Sequence, residues 1–180
     1  MPEPGGVPRQ GRKPPGRAEG GRVNCCDIKK PGTTTPDRCA SCANVGTRVD
    51  PITLKALLTS DTLRRGIPSA PRFCATEHCS IVYFDNEAGV TFSESEVTVR
   101  VHAKHLTDGR VPVCYCFEYS PSTIEQEIAR DGSSSARATI TREVQAGHCA
   151  CEVRNPKGTC CLGDVARVEQ QLRDLAQVGG

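Results

Sequence analysis

Twelve cysteines in 180 residues, most of them in short-spaced pairs, are the side chains of this sequence best suited to chemistry. Cys39-Ala-Ser-Cys42 is a C-x2-C knuckle, and Cys74-Ala-Thr-Glu-His-Cys79 is a C-x4-C placed directly before an apolar run. Each knuckle brings two thiolates together locally, and the intervening segment folds back to complete a tetrahedron. Four soft ligands satisfy a zinc ion and leave no open position, so Cys39, Cys42, Cys74 and Cys79 read as a closed structural zinc site. A catalytic zinc needs an open position, and only His78 stands where it could replace a cysteine. Cys25-Cys26 is set apart, because successive side chains diverge and adjacent cysteines do not readily chelate one ion. One of them could ligate a second ion, both could be exposed thiols that pick up soft metals, or the pair could be a mobile and non-essential edge.

A second group follows: Cys114-Tyr-Cys116, Cys149-Ala-Cys151 and Cys160-Cys161. These thiols exceed what one mononuclear site requires. A [2Fe-2S] cluster takes four thiolates and accepts several spacings. A C-x-C can place both sulfurs on one iron, with the other iron held from a later loop. Spacing alone leaves a second zinc site in competition.

Clustered cysteines fork between disulfides and metals, and the compartment decides between them. The start, Met1-Pro-Glu-Pro-Gly-Gly-Val, has no apolar run of the kind a secretory leader carries. No stretch approaches a membrane span. A cytoplasmic protein with reduced, metal-binding thiols is the expectation. The apolar content is modest, with no tryptophan and one methionine, so metal staples suit a core this thin. Residues 1–24 are rich in proline, glycine and dispersed positive charge, the composition of a disordered, solubilising tail. Without aromatic platforms those charges do not make a nucleic-acid site. The histidines are scattered, and neither a G-x-S-x-G elbow nor a phosphate loop is present, which argues against hydrolytic and nucleophilic enzymes.

The elements that must hold these thiols fall into two halves. Ser80-Ile-Val-Tyr-Phe84 and Val90-Thr-Phe92 read as strands around a turn at Asp85–Gly89. Glu96–Val101 alternates, with Val97, Val99 and Val101 on one face, and extends the pattern to a β-meander. The polar turn at His105–Arg110 is the expected boundary. Beyond it, Ser120-Pro121 offers an N-cap and a first-turn proline for a helix through Arg130. Ala136–Gln145 suggests a second helix with Gly147 near its end. A last helix opens at Asp164, with Val165, Val168, Leu172 and Leu175 as its packing stripe. The expected fold class is α+β: a zinc-stapled β module over 25–110, then a helical [2Fe-2S]-binding module over 111–180.

Three segments carry a resemblance: Cys74 to Phe84, Val113-Cys-Tyr-Cys-Phe117, and Cys151-Glu-Val-Arg-Asn-Pro-Lys-Gly-Thr-Cys-Cys161. In order and content they resemble the N-terminal domain of the CopZ copper chaperone family, over residues 39 to 165. The resemblance implies one zinc and one [2Fe-2S] cluster, the latter in a region similar to bacterioferritin-associated ferredoxin. It assigns zinc to Cys39, Cys42, Cys74 and Cys79, and the cluster to Cys114, Cys116, Cys151 and Cys161. Cys149 and Cys160 are left over, and Cys149 could exchange with Cys151. Tyr115 and His148, beside these ligands, could tune the potential or simply pack. No M-x-C-x-x-C copper loop of the family occurs in these 180 residues, so a redox and zinc module standing alone is the expectation. The expected role is one-electron transfer linked to copper or another soft metal. A redox partner protein or a copper ion would be the counterpart. A cluster-dependent sensor or adaptor, and a double-zinc interaction module, are the alternatives.

Overall fold

The computed structural model describes residues 37–178. The expected tail at 1–24 and the Cys25-Cys26 pair lie outside the described residues. Four strands form one antiparallel sheet in chain order: β1 (Thr47–Arg48), β2 (Arg72–Phe73), β3 (Ile81–Asp85) and β4 (Val90–Ser93). The β3–β4 turn is tied by Asp85, whose buried carboxylate accepts from the Glu87 and Ala88 amides, both at 3.0 Å, and from Ala70 N at 3.1 Å. That is the local use to which a turn aspartate is suited. The uninterrupted apolar run of β3 is covered on both sides, and Val82, Tyr83 and Phe84 are wholly buried.

Between β1 and β2 lie two helices, α1 (Pro51–Leu57) and α2 (Ser60–Leu63). Asp50 caps α1 by accepting from Ile52 N at 2.9 Å, with Pro51 in the first turn. Leu54 and Leu57 face the sheet and join Phe73, Val82, Tyr83 and Phe92 in the main core. Neither helix was expected from the sequence. The Asp-Pro start and the leucine spacing were the available signals, but a seven-residue helix carries barely two turns of periodicity.

The strand expected at Glu96–Val101 is not one. After β4 the chain tightens into a 3-10 turn, Glu94–Glu96, where the Glu96 carboxylate accepts from Ser93 N at 2.8 Å. The backbone then pairs with the end of α1: Thr59 N donates to Glu96 O at 2.9 Å, and Thr98 N to Leu57 O at 2.8 Å. The alternating valines are still inward, with Val97 and Val101 buried and Val99 packed against the same core. Period-two patterning reports which side chains are inside, and a helix terminus can satisfy the backbone as well as a strand can.

The second half is helical: α3 (Pro121–Asp131), α4 (Ala136–Gln145), α5 (Cys151–Arg154) and α6 (Leu162–Val178). The Ser120 hydroxyl caps α3 by accepting from Thr123 N at 3.3 Å, and Gly132 ends it in the left-handed conformation (φ 76°). Helix α6 begins at Leu162, ahead of the expected Asp164, because Cys161 O already accepts from Asp164 N and Val165 N, both at 2.9 Å. Val165, Val168 and Leu172 pack against Ile124 and Ile140. Leu175 leaves the stripe and is 70% exposed.

Two side-chain hydroxyls join the sheet core to the segment after α4. Thr53 on α1 donates to Glu152 O at 2.6 Å, and Tyr83 on β3 donates to Pro156 O at 2.7 Å. Burial pushes the Tyr83 phenol well above its ordinary range, so it stays a donor. Tyr83→Phe leaves the buried Pro156 carbonyl without its partner. We expect a loss of about 1–3 kcal/mol, read as a lower denaturation midpoint at unchanged slope.

Candidate metal centres

The first centre is built on two loops and one strand edge. Arg38 and Val45 form a bridge, and within it Cys39 N donates to Asn44 O at 2.9 Å and Ala43 N to Cys39 O at 2.8 Å. Closing so tight a loop takes Ala43 into the left-handed region (φ 58°). On the other side, Cys74 N donates to Val82 O at 2.8 Å, which fixes the second knuckle to the start of β3. Gly46 passes over Phe84 so closely that an added Cβ would lie 2.5 Å from the ring.

These restraints gather Cys39, Cys42, Cys74 and Cys79. Their sulfur atoms all lie within 4.8 Å of one another, the separation a single tetrahedral ion needs. Cys39 and Cys79 are 3.7 Å apart, and Cys42 and Cys74 are 3.6 Å apart. Among the described residues it is the only such group of three or more potential ligands. Three of the four are buried against Phe84. Desolvation pushes the Cys39 thiol up to about 12 and also raises Cys74. Cys42 goes the other way. Desolvation opposes its ionisation, but hydrogen bonds from Thr76, the Asn44 backbone, Cys74 and Cys39 together hold it at about 6.

Side chains outside the four cysteines support this charge. Asn44 Nδ2 donates to Thr76 Oγ1 at 2.8 Å, and the Cys42 thiol donates to the same oxygen at 3.4 Å, a contact whose hydroxyl turns to donate once Cys42 is a thiolate. Lys104 is buried, donates to Thr76 O at 2.8 Å, and favours the ionised form of Cys74. Such partners orient ligands and offset the excess negative charge of a tetrathiolate. Sequence reasoning missed them. Lys104 is far along the chain from the knuckles, and nothing in its neighbourhood sets it apart from a surface lysine. His78, the one residue that stood where it could replace a cysteine, is exposed and lies beside Glu77.

The second group has a different geometry. Cys116 Sγ and Cys151 Sγ are 3.8 Å apart, and Cys114 and Cys161 are buried together in the second core cluster, each shifting the other's ionisation. The structure thus brings all four expected cluster residues into two neighbouring pairs, each joining one C-x-C sulfur to one from the later loop. A C-x-C that served one iron would instead set Cys114 beside Cys116. Cys114 sits in a bridge with Tyr119, whereas Cys116 lies within the turn that Glu118 closes at φ 58°. A residue apart in the turn, their side chains do not share the face of a straight strand. Hydrogen bonding from Cys161 holds Cys114 at about 6, and that same bond drives Cys161 upward: one proton serves the pair. Burial pushes Cys151 up to about 12.

One donor to a cluster-set sulfur is a backbone group, Ala150 N to Cys116 Sγ at 3.4 Å. Tyr115 and His148 spend their polar atoms elsewhere. Tyr115 OH donates to Arg100 O and accepts from His102 N, both at 2.8 Å, and His148 Nδ1 meets Glu143 at 2.9 Å. The loop after α5 is held by buried Asn155, whose amide donates to Thr159 O at 2.7 Å. Of the leftover thiols, Cys149 is half-buried and Cys160 exposed. No helix among the described residues is long and apolar enough to cross a membrane.

Comparisons with known proteins bear on the first centre and on the fold. The family described as a zinc binding domain of the CopZ type matches residues 36–98, which hold both knuckles. The Copper chaperone CopZ of Archaeoglobus fulgidus is 32% identical over 131 residues, covering 73% of this chain and 61% of that protein. The chain therefore spans less than two thirds of the relative's length. The X-ray structure of the Archaeoglobus fulgidus CopZ N-terminal domain superposes with a TM-score of 0.59 at 30% identity, covering 73% of this chain and 96% of that one. With its α+β fold, its zinc-binding domain and a mutual four-cysteine group inside it, the chain belongs to the family of the CopZ N-terminal domain.

Proposed function

We propose that this protein is a metal-handling redox module. Cys39, Cys42, Cys74 and Cys79 hold one structural zinc, and Cys114, Cys116, Cys151 and Cys161 hold one [2Fe-2S] cluster. The observation that carries the second assignment is the grouping of those sulfurs in two neighbouring pairs, Cys116 with Cys151 at 3.8 Å and Cys114 with Cys161 buried in one cluster. A single tetrahedral ion draws four sulfurs into one mutual group, as in the first centre. A dinuclear cluster asks for two sulfurs at each of two irons. Cys114 with Cys161, and Cys116 with Cys151, meet that demand.

When bound, such a cluster supplies one-electron redox chemistry. The chain's own groups set its environment. Ala150 N–H directs a positive dipole at Cys116 Sγ, which favours the more negative, reduced state. Burial of Cys114 and Cys161 limits water at one end, while half-buried Cys116 leaves the other end nearer the surface as a route for an electron. Copper enters through the relative, a copper chaperone by its name. The expected counterpart is a Cu(II) ion reduced to Cu(I), or a redox partner protein. The division into a zinc module over 25–110 and a cluster module over 111–180 follows the two thiol sets.

Anaerobically prepared protein should contain one zinc, two irons and two sulfides per chain. Its visible absorption should bleach on taking up one electron and recover on adding Cu(II). A second zinc in place of iron overturns the cluster assignment and leaves a double-zinc interaction module.

A further inference from the structure

Away from both thiol centres, the segment 101–106 and helix α6 together line a cavity of 560 Å³. Sites for small molecules run to roughly 300–1,000 Å³ and are mostly apolar, with a few placed polar groups. This cavity has that make-up. Phe73, Val101 and Val113, which line it, are buried. Leu106 and Leu175 line it too, yet are 53% and 70% exposed, so the apolar surface continues out to solvent. A single exposed leucine carries no message, but two bordering one cavity extend it. Water against such walls gives way favourably to an apolar occupant.

The charged groups of the lining are Lys157, Asp164 and Arg167. Asp164 accepts from Lys157 Nζ and from Arg167 Nη1, the latter at 3.0 Å. One carboxylate therefore answers two cations, and a single positive charge is left over. His102 does not add a second, because burial lowers its pKa and keeps the ring neutral near pH 7. Gln171 also lines the cavity, one helical turn beyond Arg167, and offers an uncharged amide.

We infer that this cavity binds a small anionic amphiphile, an apolar chain or ring system bearing one carboxylate. The apolar body lies against Phe73, Val101, Val113 and Leu175, and the head is taken by Arg167 and Gln171. A guanidinium suits that head, since it can donate two parallel hydrogen bonds to a carboxylate. One negative charge completes the balance around Asp164, and the same excess of positive charge disfavours a cationic head.

The test titrates the full chain, metals loaded, with decanoate, decanol and decylamine below their aggregation limits, by calorimetry. We expect one decanoate per chain, held at least about tenfold more tightly than either of the other two. Arg167→Glu and Leu175→Glu change exposed side chains and should each weaken decanoate about tenfold or more. Arg167→Glu should leave decanol unaffected, and Arg137→Glu, an exposed charge on α4, should change neither ligand. Decanoate held no more tightly than decanol overturns the anionic head. Decanoate uptake unchanged in R167E and L175E overturns the location. Absence of uptake overturns the site outright, and self-association that L175E abolishes would then make a second copy of the chain the occupant.

Discussion

Cys74→Ser is expected to remove zinc from the protein and to abolish cooperative folding of the sheet half. Apparent binding energies of structural zinc are about 10–16 kcal/mol near neutral pH, whereas a whole domain of this size is stable by only about 5–15 kcal/mol. The sheet offers little else. Its strands β1 and β2 are two residues each, and the loop bearing Cys39 and Cys42 is tied to it chiefly through Phe84 and the thiols. Zinc analysis should fall from one ion per chain to none, and amide exchange over residues 37–98 should lose its protection. A variant that keeps its fold with no zinc bound would refute a structural role for the metal.

The same centre gives a pH dependence with a definite sign. Cys39 and Cys74 are raised by burial in the metal-free chain, so zinc must displace a proton from each. Proton competition then weakens zinc as the pH falls, by at least about two orders of magnitude per pH unit below the metal-free values. Cys42, held at about 6, adds to that slope only in more acidic solution. Stability conferred by zinc is therefore present at neutral and alkaline pH and lost on acidification. Zinc release to a chromogenic chelator, followed against pH, measures it.

The second large effect is expected at Gly158. Its φ is 68°, and a Cβ added there would lie 2.9 Å from both Thr53 Oγ1 and Val49 Cγ1. Gly158→Ala meets the left-handed penalty of about 1–2 kcal/mol. It must also move Thr53, whose hydroxyl is committed to Glu152 O. Together these predict a loss of about 2–4 kcal/mol. Gly89→Ala is the control, because its φ is 65° but nothing lies within 4 Å of the added carbon. It should show only the backbone penalty. On the proposed cluster assignment, the excess for Gly158 should also appear as faster decay of the cluster's visible absorption in air, since this turn leads into Cys160 and Cys161. Equal destabilisation by the two substitutions would deny any role to the close approach.

Legibility in the sequence followed how local each signal is. The two knuckles were legible because C-x2-C and C-x4-C are complete in themselves, and the structure gathers their four sulfurs. Helices α3 and α4 and the β3–β4 turn carried caps and turn residues within a few positions. The strand at Glu96–Val101 failed because alternation encodes burial, while the backbone partner was the end of α1. Helices α1 and α2 were missed because they are too short for periodicity to speak. Lys104 and the Ala150 amide were out of reach for a different reason. One acts on a thiol about thirty residues away, and the other is a backbone group that every residue possesses. The contact of Cys116 with Cys151 likewise depends on where the later loop arrives.

The hydroxyls of Thr53 and Tyr83 bear on how portable the segment proposed to hold the cluster is. Transplanted onto a foreign scaffold, residues 111–178 would carry the carbonyls of Glu152 and Pro156 but neither donor that satisfies them. A host would have to supply a hydroxyl at each place and leave a hollow for Gly158. Chimeras exchanged between relatives should accordingly succeed or fail on three host positions, those matching Val49, Thr53 and Tyr83, whatever the number of cysteines they preserve.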